Sequence, residues 1–275
     1  MNLGSLYHVI LFQPTVNVLV LLYTIFAKIG LPGAFGLSII ALTSIVRLAM
    51  QPFYAHQMET SKKMADMKPH LDALSKKHKD DKKKLQEEQM KLYKEKGINP
   101  AMGCVLAIVQ IPLFIALYQV LNLFLNNAKT TSAAVSAKIN ALVYSSSFKI
   151  GILDPWFFGF NLAVTPSQFG KYGYHYLLIP VITGALQYFQ IKATMPAAAP
   201  AAVQNNKKPF DKAQGKKDDK PSSADFQTAM SSQMKIMFPL MIGFFSYSLP
   251  VGLSIYWNVF SIFSVLQPKQ KQVKS

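Results

Sequence analysis

The chain has 275 residues, 51% hydrophobic and 15% charged, with 29 Lys and Arg against 13 Asp and Glu and a formal net charge of +16. That apolar content excludes disorder over the whole chain, and the single cysteine, Cys104, excludes a disulfide scaffold. A simple nucleic-acid binder fits poorly, because its basic charge sits on a water-soluble fold, whereas here charged and apolar residues separate into blocks.

The first block, Val16–Ala27, is short for a membrane crossing, which takes about 20 apolar residues. Leu19, Leu22, Tyr23 and Phe26 recur at helical spacing, with Pro14 ahead and Gly30, Pro32 and Gly33 behind. The pattern predicts an interfacial helix over 15–29, within an N-terminal outer segment 1–32. An uncleaved signal-anchor is the other reading, but there is no basic n-region or small-residue cleavage site. A first span follows over 33–55, with Arg47 its one charge.

Residues 56–98 are dense in Lys, Glu, Asp and Gln. Met64, Met67, Leu71 and Leu74 form one stripe, and Leu85, Gln89 and Leu92 a weaker one. Asp80 or Asp81 can cap a second helix, and Gly97 can end it. The segment reads as a cytoplasmic helical hairpin that docks partners or headgroups, or as a solvated spacer.

A second span is predicted over 99–125, which has no charge beyond the hairpin boundary. An outer loop, 126–173, turns aromatic towards its end (Trp156, Phe157, Phe158, Phe160, Phe169, Tyr172), as suits a membrane–water interface. A third span covers 174–192. Residues 193–232 read as a disordered cytoplasmic linker rich in Lys, Asp, Asn, Gly and Pro; its basic residues touch anionic lipid or only enforce topology. The uncharged run Ile236–Leu266 is split by Pro250 and Gly252 into a fourth span, 233–249, and a fifth, 250–267, with one long broken helix as the rival reading. A cytoplasmic tail, 268–275, closes the sequence.

Twelve lysines lie in His56–Pro100, eight in Lys192–Lys235 and three after Gln267. Positive residues stay cytoplasmic, so the expectation is an all-α polytopic membrane protein of five transmembrane helices. Its N-terminus lies outside and its C-terminus in the cytoplasm.

Arg47 stands 14 residues after Gly33, about 21 Å along the helix at 1.5 Å per residue. That depth is within the cytoplasmic half of the hydrocarbon core. An arginine at a helix centre costs about 2.5–3.5 kcal/mol on insertion scales, and none of the five spans contains Asp or Glu. Arg47 therefore snorkels to the headgroups, or water reaches it. Thr43 and Ser44 lie one turn before it and Gln51 one turn after. Thr183, Gln187 and Gln190 align in the third span, and Ser254, Asn258 and Ser261 in the fifth, beside Trp257; Gln110 is alone in the second. These faces either enclose a hydrated cavity or hydrogen-bond helix to helix, at about 0.6 kcal/mol per contact.

Arg47 followed by Gln51-Pro52-Phe53, then Ser61–Met64 and Lys68-Pro69, resembles the YidC/Oxa/Alb membrane protein insertase family. GINPAMGC at Gly97–Cys104, QIPLFIALY at Gln110–Tyr118, Asp154-Pro155 and PVGLSIYW at Pro250–Trp257 are similar to its motifs. The resemblance runs from about Gln13 to Gln267. It implies a five-helix core, an amphipathic helix on the outer face and a cytoplasmic hairpin. It also implies a hydrophilic groove that holds Arg47 and is open to cytoplasm and lipid. The expectation is a bacterial short form without the large periplasmic domain, and without a lipobox cysteine, ribosome-binding extension or organellar transit peptide.

The implied activity is insertion and chaperoning of nascent membrane proteins in the bacterial plasma (inner) membrane. The expected partners are nascent membrane proteins and the lipid bilayer, with a Sec translocon, signal recognition pathway components and the ribosome as candidates. Direct sequence-specific nucleic-acid binding is not expected, nor is an enzyme activity, a cofactor or a metal. The five histidines form no HExxH-type motif, and Cys104 reads as helix packing. A small-solute or anion transporter using Arg47 is the alternative, although no internal repeat of the kind transporters show is present. An assembly chaperone without insertion activity lies closer to the main reading.

Overall fold

A computed structural model describes residues 3–78, 81–97, 102–125, 132–151, 153–194 and 223–266. These are overwhelmingly helical. The chain opens with α1 (Leu3–Tyr7), a π-helical turn at His8–Phe12 and α2 (Gln13–Lys28), joined without a break. The helix expected over 15–29 therefore starts some twelve residues earlier. Pro14 is not its boundary: it occupies the first turn of α2, where a missing N–H is tolerated, directly after the π turn.

The resulting helix, Gly4–Lys28, has a mean hydropathy of 2.0. Among the described residues it is the one helix long and apolar enough to cross a membrane. The bent pair α3 (Ala34–Ala49) and α4 (Gln51–Asp66) would make a second, so the five-span count goes beyond what length and composition of these helices establish. The end of α2 is set by Gly30, whose φ of 76° lets Leu31 N–H reach Phe26 O at 3.1 Å.

Between α3 and α4 the axis turns by 57°. Met50 sits near φ −85°, ψ 0°, and Pro52, in the first turn of α4, brings no N–H to hold the two helices in line. A second proline, Pro69, starts α5 (Lys68–Lys77), which pairs with α6 (Lys82–Glu95) as the expected hairpin. Of the two candidate caps, Asp81 does the capping: its Oδ1 accepts from Lys84 N–H at 3.0 Å. Gly97 (φ 63°) follows the last turn. Asp81→Ala is expected to cost about 1 kcal/mol of hairpin stability, read as earlier loss of helicity in a thermal melt; an unchanged melt would show the cap to be redundant.

Helix α7 (Met102–Leu125) carries Pro112 within it. The described part of the segment expected to be an outer loop carries regular structure. It holds α8 (Ser132–Asn140), a two-stranded ribbon and α9 (Phe169–Tyr172). The ribbon pairs β1 (Trp156–Phe157) with β2 (Phe160–Asn161) through Phe158 and Gly159, both at positive φ (45° and 84°), the backbone a tight two-residue hairpin turn requires.

Then come α10 (Leu178–Thr194), α11 (Ser223–Ser248) and α12 (Val251–Leu266). Most of the expected linker, 195–222, and the tail from 267 lie outside the described residues. Residues 223–232, however, are the first turns of α11 and not linker. Phe226, Met230, Met234, Met237 and Met241 recur every three or four positions, a period the polar composition of the segment hid. Pro250 separates α11 from α12, so the run Ile236–Leu266 is two helices.

One apolar cluster ties α2, α3, α7 and α12 together, with Leu19, Phe35, Ile39, Leu117, Val120 and Leu253 at its centre. Phe35 stacks on Phe124 with centroids 5.4 Å apart. The ribbon pins the start of this assembly. A Cβ on Gly36 would overlap the Phe157 ring, and the N–H groups of Val251 and Gly252 donate to Val164 O and Leu162 O at 3.0 Å each. The starts of α3 and α12 are thereby fastened to one loop.

Candidate functional site: a polar seam ending at Arg47

Helix α12 packs against both α3 and α10, and α11 lies along α10. Their contact faces carry the polar residues that periodicity had aligned. At one end, Ser246 Oγ donates to Thr183 Oγ1 at 3.2 Å and shares a 2.8 Å hydrogen bond with Ser254 Oγ. Further along, Ser261 Oγ donates to Gln190 Oε1 at 2.7 Å. Beyond that, Arg47 Nη2 donates to Ser264 Oγ at 2.9 Å. The hydroxyls of Thr43 and Ser44 turn back to Ile39 O (2.6 Å) and Ile40 O (2.8 Å), the usual resort of Ser and Thr inside helices.

Arg47 is only 6% exposed. Its Cζ lies 3.5 Å from the centre of the Tyr54 ring and 4.7 Å from that of Phe260. The guanidinium thus turns inward onto rings and a hydroxyl, not outward as a snorkelling side chain would. Close approach to ring faces suits a delocalised cation, and desolvated pairs of this kind contribute about 2 kcal/mol. Tyr54 reaches Arg47 because of the 57° bend: it belongs to α4, and the turn at Met50 folds it back across the end of α3.

The seam gathers Arg47, Thr43, Gln187, Gln190, Asn258 and Ser261, with Ser44 half-buried beside them. It does not gather Gln51. The bend places Gln51 as the first residue of α4, exposed and off the α3 face it was expected to share. Trp257 is half-buried and faces α7, its ring 5.3 Å from that of Phe114. Gln110 lies on α7, but its side chain is outside the described residues.

Sequence reasoning missed Tyr54, Phe260, Ser246 and Ser264. Ser264 continues the three-and-four spacing of Ser254, Asn258 and Ser261, so its signal was present. Tyr54, seven residues after Arg47, also lay on its face by count, whereas Ser246 had no signal, since its contact depends on how two helices meet. Among the described residues no group of three or more His, Cys, Asp or Glu is placed to hold a metal.

The family model described as 60Kd inner membrane protein matches residues 25–271. The chain belongs to this family, the YidC/Oxa/Alb proteins. It is 29% identical over 243 residues, 88% of its length, to Inner membrane protein ALBINO3, chloroplastic, of Arabidopsis thaliana, and covers 47% of that protein. It is 30% identical to Inner membrane ALBINO3-like protein 2, chloroplastic, of Chlamydomonas reinhardtii over 86% of the chain and 49% of the relative. With Membrane protein insertase YidC of Chlorobium limicola it shares 28% identity over 86% of the chain and 33% of the relative. The chain thus spans half or less of the length of these YidC/Oxa/Alb relatives. Membership makes it a membrane protein.

Proposed function

We propose that the chain is a membrane protein insertase and folding chaperone, and that the seam between α3, α10 and α12 is the closed form of its hydrophilic groove. The observation that carries this reading is the chain of buried polar contacts from Ser254 to Arg47, set in helices that are otherwise apolar. The names of its YidC relatives agree with it. In this reading the N-terminus lies outside, the α5–α6 hairpin and the C-terminus lie in the cytoplasm, and the helices make five crossings.

A nascent protein would lay a short hydrophilic tail between α10 and α12 from the hairpin side. Arg47 would draw acidic residues of that tail once Tyr54 swings away with α4. The adjoining apolar segment would slide over the exposed outer face of α10, where Val181 and Phe189 stand, into lipid. Its burial supplies the driving force, at about 25 cal/mol per Å² of apolar area. No covalent step is needed.

The test is insertion of a single-span reporter into proteoliposomes holding the full chain, read as protection of its tail from added protease. Protection that depends on the protein is expected; reporter tails equally protected in empty liposomes would end the proposal. Removing Met64–Leu92 is expected to slow insertion severalfold while the thermal melt of the remaining helices stays cooperative. Loss of that melt would make the hairpin structural. A solute transporter finds no comparable support in these contacts.

A further inference from the structure

The N-terminal helix changes pitch where it packs on α7. Its His8–Phe12 segment is a π-helical turn, a rare form that recurs at functional sites. Beside that turn lies a cavity of about 530 Å³, walled by Gly4, Leu6, Tyr7 and Ile10 on one side and by Pro112 and Ile115 of α7 on the other. The sequence sets both walls. Gly4 has no side chain, and a Cβ added there would meet nothing within 4 Å. Pro112 lacks the N–H that would continue the α7 ladder. The walls are wholly apolar, and the hydroxyl of Tyr7 donates to Gln119 Oε1 at 2.9 Å.

That lining decides the occupant. Water needs several polar partners and finds none. An extended peptide would strand its N–H and C=O groups against carbon. A helix is too thick: one turn, about 5.4 Å long and 10 Å across, already fills about 400 Å³, so the cavity gives no seat to a partner helix. A narrow, flexible, apolar chain does fit. The cavity opens on the bilayer side of the molecule, because Leu6, Val9, Ile10, Ile111 and Ile115 around it are exposed on a chain whose family makes it a membrane protein.

We infer that this cavity binds one acyl chain of a membrane phospholipid, held between the π-helical turn and Pro112 of α7. The acyl chain supplies the dispersion contacts that a gap denies to its walls. It thereby couples the N-terminal helix to α7. The π-helical turn has a part in this: one residue fewer would rotate Gly4, Leu6 and Tyr7 by about 100° away from α7. The inference stands on membership of a membrane-protein family and not on the insertase reading, so either can fail alone.

The experiment places the full chain in vesicles of phosphatidylethanolamine and phosphatidylglycerol that include a phospholipid with a diazirine near the end of one acyl chain. Light expels N2, and the carbene inserts into neighbouring C–H bonds; mass spectrometry of peptides locates the adducts. Adducts on Leu6, Ile10 or Ile115 are expected about fivefold or more above those on Leu240 and Phe244, which are exposed on α11. They are expected to persist when the protein is moved into detergent before irradiation, whereas the α11 adducts fall away. Equal labelling of the two faces overturns the proposal, since it shows ordinary boundary lipid only.

Gly4→Leu fills the cavity from a position with open space. It is expected to lower the cavity adducts about threefold or more, with the α11 adducts and the thermal melt unchanged. Deleting Val9 turns the wall away and is expected to do the same. Cavity adducts that survive both changes overturn the proposal. Leu6→Cys in a Cys104→Ser background tests the other occupant of this face: disulfide-linked dimers in place of lipid adducts would assign it to a second copy of the chain and end the lipid reading.

Discussion

Arg47→Ala is expected to reduce insertion of a reporter with two acidic tail residues by about tenfold or more, and to reduce a neutral-tailed reporter far less. A tenfold change corresponds to about 1.4 kcal/mol, well within what a charge pair at partial depth supplies. The fold is expected to survive. Alanine leaves behind one serine hydroxyl that already donates to Phe260 O at 2.9 Å, and it removes a charge that is costly to bury. Arg47→Lys keeps the charge but cannot lie flat against Tyr54 while reaching Ser264, so insertion between the two extremes is expected. Tyr54→Ala uncovers the guanidinium and is expected to speed its modification by phenylglyoxal severalfold. Equal insertion of acidic and neutral tails by wild type and Arg47→Ala would remove electrostatics from the mechanism. Unchanged phenylglyoxal reactivity would show that Tyr54 is not the cover.

Gly243→Val is expected to lower the thermal midpoint markedly, whereas Gly184→Ala, at the same helix crossing, is expected to be close to neutral. A Cβ at Gly243 would stand 3.2 Å from Pro180 O and 3.7 Å from Gly184 Cα, both backbone atoms that cannot rotate away. A Cβ at Gly184 meets Pro239 O at 3.5 Å, an ordinary contact. Close approach through small residues is how helices pack where lipid, not water, surrounds them, and forcing extra atoms into such a contact costs about 1–3 kcal/mol. The strain would also reach the seam, because Ser246 lies one turn along α11 from Gly243 and holds Thr183. Melts of both variants and of Phe244→Ala, a 67% exposed neighbour, decide the matter. Equal midpoints for Gly243→Val and wild type would mean that α10 and α11 are not in close contact.

Much of this architecture was legible because helical period is a local property. The pairing of α5 with α6, the cap at Asp81, the break at Pro250 and the aligned faces of α10 and α12 all follow from spacings within one segment. Failures came where one residue type has two meanings. Pro14 read as a helix start, yet a proline in a first turn after a π-helical turn interrupts nothing. The beginning of α11 read as linker because its composition is polar, although its Phe and Met spacing is helical. Gln51 was placed on the Arg47 face by counting through Met50 as if the axis were straight. Tyr54, seven residues after Arg47, lies on its face by count; what the count does not show is that the two side chains meet across the bend at a distance of 3.5 Å. Gln187 and Asn258 were half visible: both stand on polar faces by spacing, but that their side-chain oxygens are buried with no hydrogen-bond partner among the described residues depends on how the helices pack.

The ribbon fastened to the starts of α3 and α12 determines which way those helices are free to part. Two rods pinned at one tip open like tongs. At 1.5 Å per residue the jaw beside Arg47 is about 17 Å from the pin at Gly36, so a swing of about 10° widens it by roughly 3 Å while the pinned tip hardly moves. A small tilt of α3 from α12 would therefore uncover the Arg47 end while the ribbon end stays closed.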